Sequence, residues 1–364
     1  MANRLALIIA NPAAGTNSPE TVADLAARCR QFLLRVEVHW TSGPGDASAV
    51  AHDSVARPEA TRPEIIIAVG GDGTVREVVS GLVAATRLAP VSATGSGDPG
   101  SSGPVPTLLV IPAGTGNSNY LAQWGDLPWQ DAVTAALSPS ATGGAATGPT
   151  GTGPTGTGPD ETEPAADRIG REVRKLDLCR LVETDELVML GACSGLIAKA
   201  LRFAPDVPLT GRSRYQVALA CAAAGFSAYP GRVTVDGQIV HEGRTVLANV
   251  GGGRHRGGQY EVLPYSVLDD GLLDVCVIGD DIAPADVPEL TRTAQHLDRL
   301  GTVYARGRQI TISNTAGDPL WFEHDGELLP RIWPSVTLEV LPRALPVFCR
   351  AGRLDRVRSA PGTG

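Results

Sequence analysis

The chain predicts a two-domain fold, α/β in its first part and β-rich in its second, on three observations. Apolar runs of strand length recur over residues 1–137, each closed by a tight turn and followed by helical spacing. Short alternating segments replace them over residues 171–343. Between the two lies a low-complexity stretch, 138–170, with a Thr-Gly-Pro near-repeat and acids at Asp160, Glu161 and Glu163. The first pattern is that of a parallel sheet covered by helices, and the second that of an antiparallel β-sandwich, with a cleft between them.

In the first part, Leu5-Ala6-Leu7-Ile8-Ile9 is apolar without alternation, as in a strand buried on both faces. It ends at the small residues Asn11-Pro12-Ala13-Ala14-Gly15. Ser18-Pro19 then opens a helix, with a cap and a proline at its first position. Val22, Leu25, Ala26, Cys29, Phe32 and Leu33 form its apolar face. Val36 to Trp40 is a second strand, closed by Thr41, and residues 46–56 read as a helix. Ile65 to Val69 is a third strand, followed by a helix over Thr74 to Arg87 with Thr74-Val75-Arg76-Glu77 as its capping box. Thr107 to Ile111 is a fourth strand, running into Pro112-Ala113-Gly114-Thr115-Gly116-Asn117. Residues 92–104 and 138–170 are too poor in apolar residues to order themselves.

In the second part, strands are expected at 187–190, 232–235, 238–241, 245–250, 273–278, 309–313 and 337–341, with helices near 211–226 and 284–300. Residues 344–364 are expected to return to the first domain and end in a disordered basic tail.

Composition narrows the function. The 364 residues carry 31 Lys and Arg against 39 Asp and Glu, a net charge of −8, which argues against nucleic-acid binding through bulk positive charge. The six cysteines are scattered with no CxxC pair, as buried thiols of a reducing compartment are. No stretch has the length of a membrane span, and the start lacks a signal-peptide layout. A cytoplasmic protein, at most peripheral to the inner membrane surface, is the expectation.

Gly70-Gly71-Asp72-Gly73-Thr74 carries the strongest chemical signal. A nearly bare backbone ahead of a helix can bring its N–H groups close to a phosphate. The loop is neither GxxxxGK[ST] nor GxGxxG. Asp72 is the anomaly, because a carboxylate repels a phosphate unless a cation or a proton transfer employs it. The loops at Asn11, Thr41, Gly70 and Pro112 all follow strands, so they gather at one sheet edge.

Asp236-Gly237 reads as a plain hairpin turn. Asp269-Asp270-Gly271 with Asp274 has the charge density that a hard divalent cation uses. His324-Asp325-Gly326-Glu327 is a turn with an unexplained acid. Gly251 to Gly258, with Arg254 and Arg256, reads as a flexible basic loop, either a solvated tip or a contact for phosphate. Lys199 to Arg214 mixes bases with Leu201, Phe203, Val207 and Leu209, as a membrane-touching lip or a simple loop would.

These motifs, in this order, resemble the diacylglycerol kinase catalytic-domain family, which includes bacterial lipid kinases, sphingosine kinases and ceramide kinases. Asn11 to Gly15 is similar to its NPxxG, Gly70 to Glu77 to its GGDGTxxE, and Pro112 to Asn117 to its PxGTxN. Asn249 to Asp274 is similar to its C-terminal glycine-rich and DDGxLD block, and Asp325 to Glu327 to its DGE. The resemblance implies an α/β nucleotide-binding domain related to NAD kinase and phosphofructokinase, with ATP in the inter-domain cleft. It implies ATP contacts from Asn11, Pro12, Ala13, Ala14, Gly15, Thr41, Gly70, Gly71, Asp72, Gly73, Thr74, Val75, Arg76 and Thr115. It implies Mg²⁺ on the Asp270 side chain and the main-chain oxygens of Val267 and Leu272. Glu327 matches the proton acceptor, a role given to the position of Asp72 in the sphingosine-kinase branch. Ser118 departs from the Asp that many bacterial members carry there, while Asp177 keeps another family acid.

The reading is therefore an ATP- and Mg²⁺-dependent kinase acting on a lipid with a free hydroxyl, diacylglycerol or a related lipid. Apolar surface over 196–226 admits the acyl chain, and membrane contact is transient. The alternatives are a soluble-substrate kinase of the NAD-kinase type and a non-catalytic nucleotide or lipid sensor. Oligomeric state is open, a homodimer included.

Overall fold

The structure, a computed structural model, describes residues 4–32, 35–87, 105–138, 170–257, 259–352 and 354. Residues 92–104 and nearly all of 138–170, predicted to be disordered, lie outside the described residues, as does the tail beyond 354.

Strands β1 (Leu5–Ala10), β2 (Arg35–Trp40), β3 (Ile65–Gly70) and β4 (Thr107–Pro112) form a parallel sheet in the order β2-β1-β3-β4. Every residue of β1 and β3 is buried, which is why their runs do not alternate. The edge strand β2 has no buried residue. The chain moves outward from β1 to β2, then outward the other way from β3 to β4. A crevice opens at such a reversal, outside the carboxyl ends of the strands. The Asn11 and Gly70 loops occupy that position.

Helix α1 (Pro19–Phe32) is started by Ser18, whose Oγ accepts the Thr21 N–H at 3.2 Å. It buries Val22, Leu25, Ala26 and Cys29. Helices α2 (Asp46–Val55) and α3 (Asp72–Arg87) pack closely at Gly81, where a Cβ would sit 2.1 Å from the Ser48 carbonyl oxygen. The predicted capping box at Thr74 does not form. Helix α3 begins two residues earlier, at Asp72, so Thr74 lies inside its first turn. Glu77 instead accepts the N–H of Gly45 at 3.0 Å. Helices α4 (Ser118–Trp124) and α5 (Trp129–Leu137) follow β4.

The second part opens with β5 (Arg171–Leu181), β6 (Glu186–Val188) and β7 (Ala192–Gly195), then α6 (Leu196–Phe203) and α7 (Gly211–Ala224). The hairpin β8 (Tyr229–Val235) to β9 (Gln238–Gly251) turns at Asp236-Gly237, whose φ values of 49° and 81° suit the tight turn predicted there. Strand β9 runs unbroken through the stretch read as two strands. Its polar middle stays in the ladder, where Glu242 meets Arg232 at 3.0 Å. The short pair β10 (His255–Arg256) and β11 (Tyr260–Glu261) precedes β12 (Leu273–Gly279). The single helix expected over 284–300 is instead α8 (Val287–Arg292) and a 3₁₀ turn, parted at Ala294 with φ 58°. Strands β13 (Thr302–Gly307), β14 (Gln309–Asn314), β15 (Phe322–His324), β16 (Glu327–Leu328) and β17 (Ser335–Arg350) complete the fold.

Strand β17 belongs to both parts. It pairs antiparallel with β14, runs antiparallel to β5 along most of its length, and meets β4 in parallel through Val347 and Leu108. The β5–β17 ribbon therefore carries one sheet across both parts. One apolar core fills the α/β part around β1, β3 and β4, and separate cores fill the sandwich and the space under α6 and α7. Five cysteines are buried and unpaired, while Cys221 on α7 is exposed.

Candidate active site

Three loops are stitched together at the carboxyl edge of the parallel sheet. Asn11 donates from Nδ2 to the Thr74 hydroxyl at 3.0 Å and accepts the Ala13 N–H at 2.9 Å. The Thr16 N–H reaches the Ala113 carbonyl at 3.0 Å. Gly71 and Gly114 touch backbone to backbone: a Cβ on Gly114 would lie 2.4 Å from the Gly71 Cα. A Cβ on Gly70 would strike the Thr74 side chain at 2.5 Å. Two of the three glycines read as a bare phosphate cradle are thus needed for contact within the protein. Gly73 is different, since a Cβ there would meet nothing within 4 Å. It sits exposed at the start of α3, where N–H groups are unsatisfied and the helix dipole is positive.

Asp72 has a definite job. Its Oδ2 accepts the Ser118 N–H at 3.0 Å, and its Oδ1 accepts the Asn119 N–H at 3.0 Å and Asn119 Nδ2 at 2.9 Å. One carboxylate therefore satisfies the start of α4 and ties the Pro112–Asn117 loop to the Gly70 loop. The loop also closes on itself. Asn117, at φ 51°, accepts the Gly114 N–H through Oδ1 at 2.9 Å and returns Nδ2 to the Gly114 carbonyl. Ser118 takes part through its backbone, which its side chain does not affect.

The facing wall is the β15–β16 turn. Asp325 and Gly326, at φ 48° and 87°, form it, and His324 pairs across with Glu327. The Asp325 carboxylate accepts the N–H groups of Met189 and Leu190, each at 2.8 Å, and of Gly191 at 3.3 Å. Burial works against its charge, but His324 and these N–H groups outweigh burial and hold the carboxyl below the usual carboxylate range. His324 is buried, with Nε2 3.2 Å from Glu186 and Nδ1 4.0 Å from Asp325. Burial opposes its charging too, yet the two acids raise its pKa. Glu327 forms an ion pair with Arg76 of α3, so the two parts of the chain touch at this point.

Beneath the turn lies a buried charge cluster. The Arg256 guanidinium donates to Asn249 Oδ1 at 2.9 Å and to the Val250 carbonyl at 3.0 Å. A Cβ on Gly191 would fall 1.8 Å from its Nη2. This corrects the solvated-loop reading of residues 251–258, because Arg256 faces inward. Glu323 lies nearby, fully buried. Burial pushes its pKa up, and Cys193, Arg256 and the Gly326 N–H offset part of that.

A cavity of about 290 Å³ opens between these walls. Asp72, Thr115 and Ser118 line it on the α/β side, and Glu323, Asp325 and Gly326 on the sandwich side. Ile197 and Leu201 of α6 and Tyr215 and Leu219 of α7 make its apolar flank. Val75 is buried in the α/β core, so only its backbone can face a ligand. Thr41 is also buried, its N–H on the Ala10 carbonyl at 2.9 Å. Pro12, Ala13 and Gly15 are exposed in the turn after β1.

The acids at Asp269 to Asp274 do not line that cavity. Asp270 pairs with Arg306 through Oδ2 and accepts the Leu272 N–H through Oδ1 at 3.2 Å. Asp269 pairs with Arg174. Asp274, buried, accepts from Arg306 Nε at 3.0 Å and the Tyr304 hydroxyl at 2.7 Å. Asp177 fastens this loop to the β5–β17 ribbon, accepting the N–H groups of Gly271 at 2.6 Å and Arg343 at 2.7 Å. Burial raises its pKa against those bonds. A guanidinium already neutralises Asp270, and among the described residues no three His, Cys, Asp or Glu side chains gather as metal ligands. As arranged, the Asp270 carboxylate is paired with Arg306 and stands apart from the cavity.

Of the residues predicted from sequence, Asp72 and Thr115 line the cavity, Asn11 is bonded to Thr74, Arg76 is paired with Glu327, and Val267, Asp270 and Leu272 lie off the cavity wall. Sequence reasoning missed Glu323 and the inward turn of Arg256. Only the glycine at 191, set against Arg256, hints at either.

The diacylglycerol kinase catalytic domain family model matches residues 5–142, and the YegS C-terminal NAD kinase beta sandwich-like domain matches residues 191–349. The chain thus carries a diacylglycerol kinase catalytic domain followed by a YegS-type C-terminal domain. A probable lipid kinase YegS-like protein of Xanthomonas oryzae is 27% identical over 291 residues, covering 79% of this chain and 74% of that relative. A probable lipid kinase YegS of Salmonella arizonae is 24% identical over 341 residues, covering 93% and 94%. A solved structure of a diacylglycerol kinase from Bacillus anthracis superposes with a TM-score of 0.59 at 18% identity, covering 97% of this chain and 98% of that one. That likeness carries the fold, and both halves of the family's architecture are present. Among the described residues no helix is long and apolar enough to cross a membrane.

Proposed function

We propose that this chain is a lipid kinase that transfers the γ-phosphoryl group of ATP to a lipid hydroxyl, diacylglycerol or a related lipid being the acceptor. The observation that carries the reading is the ion pair of Glu327 with Arg76, which sets a carboxylate beside the open start of α3. Phosphoryl transfer asks a protein for positioning and charge compensation rather than covalent chemistry. The N–H groups at the start of α3, with Gly73 open above them, receive the phosphates. Asp72 holds the Thr115–Asn119 segment against that loop. Glu327 takes the hydroxyl proton as the oxygen attacks the γ-phosphorus, and ADP leaves with the bridging oxygen. The apolar flank from α6 and α7 takes the start of the acyl chain. Leu209, Tyr215 and Val217, all exposed, would meet the lipid surface.

The test is acceptor competition. The purified chain is given γ-labelled ATP with diacylglycerol micelles and NAD together. Label in a lipid phosphomonoester supports the reading, and label in NADP alone refutes it.

A further inference from the structure

We propose that Arg76 couples nucleotide binding to release of the proton acceptor: without nucleotide it holds Glu327, and phosphates at the start of α3 draw it away. The inference rests on the kinase reading above and adds a control to the same site.

Three observations carry it. First, the pair joins the two parts of the chain, α3 of the α/β part to β16 of the sandwich. Among the described residues, Glu327 is the one carboxylate within ion-pair distance of Arg76. Second, Arg76 follows Asp72 by four residues and Gly73 by three, so all three share one helix face. Helical side chains lean toward the N-terminus, so a rotamer change can carry the Arg76 guanidinium toward the open space at Gly73. A phosphate seated there lies within its reach. Third, the exposures are unequal: the Arg76 side chain is 17% exposed and that of Glu327 57%. The acid, largely in solvent, can lose its partner without being left as an unpaired buried charge.

The chemistry then orders itself. A carboxylate held by a guanidinium has its oxygen lone pairs engaged by the N–H donors and is not open to a hydroxyl proton. A polyphosphate carries more charge than one carboxylate and offers oxygens for the bidentate guanidinium fork. Once Arg76 turns to phosphate, Glu327 stands beside the reacting end with its lone pairs uncovered. Arg76 is thus a positioning residue, and ATP must be in place before the acid can act.

ATP affinity of the full chain, titrated without lipid, separates the outcomes. Glu327→Gln should tighten ATP about tenfold, because Arg76 no longer has to leave a charged partner. Arg76→Gln should weaken it about tenfold, and adding Glu327→Gln to that variant should change it less than about threefold. Unchanged or weaker binding by Glu327→Gln overturns the inference. So does an equal gain in both backgrounds, since that is plain repulsion without a switch. Failure of the wild-type chain to bind ATP is a separate result, and it brings down the kinase reading itself.

Discussion

Replacing Asp72 with asparagine tests what that carboxylate does. Its two oxygens accept three N–H groups from the start of α4. Asparagine keeps one oxygen, which can serve both bonds from Asn119. Its amide then faces the Ser118 N–H, donor against donor. One charge-assisted bond is lost, worth about 1.5–3 kcal/mol. Loss of the negative charge at the N-terminus of α4 removes a further ~0.3–1 kcal/mol. The sum is about 2–4 kcal/mol, or a fall in melting temperature of roughly 3–6 °C for a chain of this size. Thermal melts of the two proteins, followed by circular dichroism, read this directly. Turnover should fall too, by less than the roughly 10²–10⁴-fold expected when a proton acceptor is removed. An unchanged melt together with a full catalytic loss would refute the tether and make Asp72 a group that acts on the substrate.

Other substitutions probe the neighbouring contacts. Gly73→Ala should leave stability unchanged or raise it by up to about 1 kcal/mol, since alanine favours a helix, while the KM for ATP rises. Gly114→Ala should destabilise by about 1–3 kcal/mol in urea unfolding, because its methyl meets the Gly71 backbone. Asp325→Asn should cost about 1–3 kcal/mol at neutral pH. Because the folded carboxyl of Asp325 lies below its unfolded value, its contribution is full above the ordinary carboxylate range and fades as pH falls through the folded value. Urea midpoints of wild type and variant should therefore converge in acid. Asp270→Asn should lower stability by about 1–3 kcal/mol through the lost Arg306 pair, with no change in ATP affinity by titration.

The fold was legible where short-range physics decides it. The unbroken apolar runs at Leu5 and Ile65 can sit only in a sheet covered on both faces. Asp236-Gly237 can make a tight hairpin with no help from the rest of the chain. Harder to read were features set by partners distant in sequence. Thr74 and Glu77 match a capping box, but Asn11 and the Gly45 N–H take them instead. Arg256 sits in a polar, glycine-rich stretch that reads as a solvated tip, and only the fold shows carbonyls waiting for it. The acids around Asp270 gave no sign in the sequence that Arg306 and Arg174 stand beside them. Asp72 stood out as a charge among glycines, and its three donors lie one strand and one loop away. The family motifs located the region, while the pairing of Glu327 with Arg76 had no signal in either segment alone.

The most direct test of the account compares wild type and Glu327→Gln with γ-labelled ATP and a sonicated total lipid extract. Label is counted in the chloroform phase and the labelled lipid identified. The account predicts a labelled lipid phosphomonoester from the wild-type chain and a rate about 10²–10⁴ times lower from the variant. Label confined to water-soluble product, or equal labelling of lipid by both proteins, would contradict it.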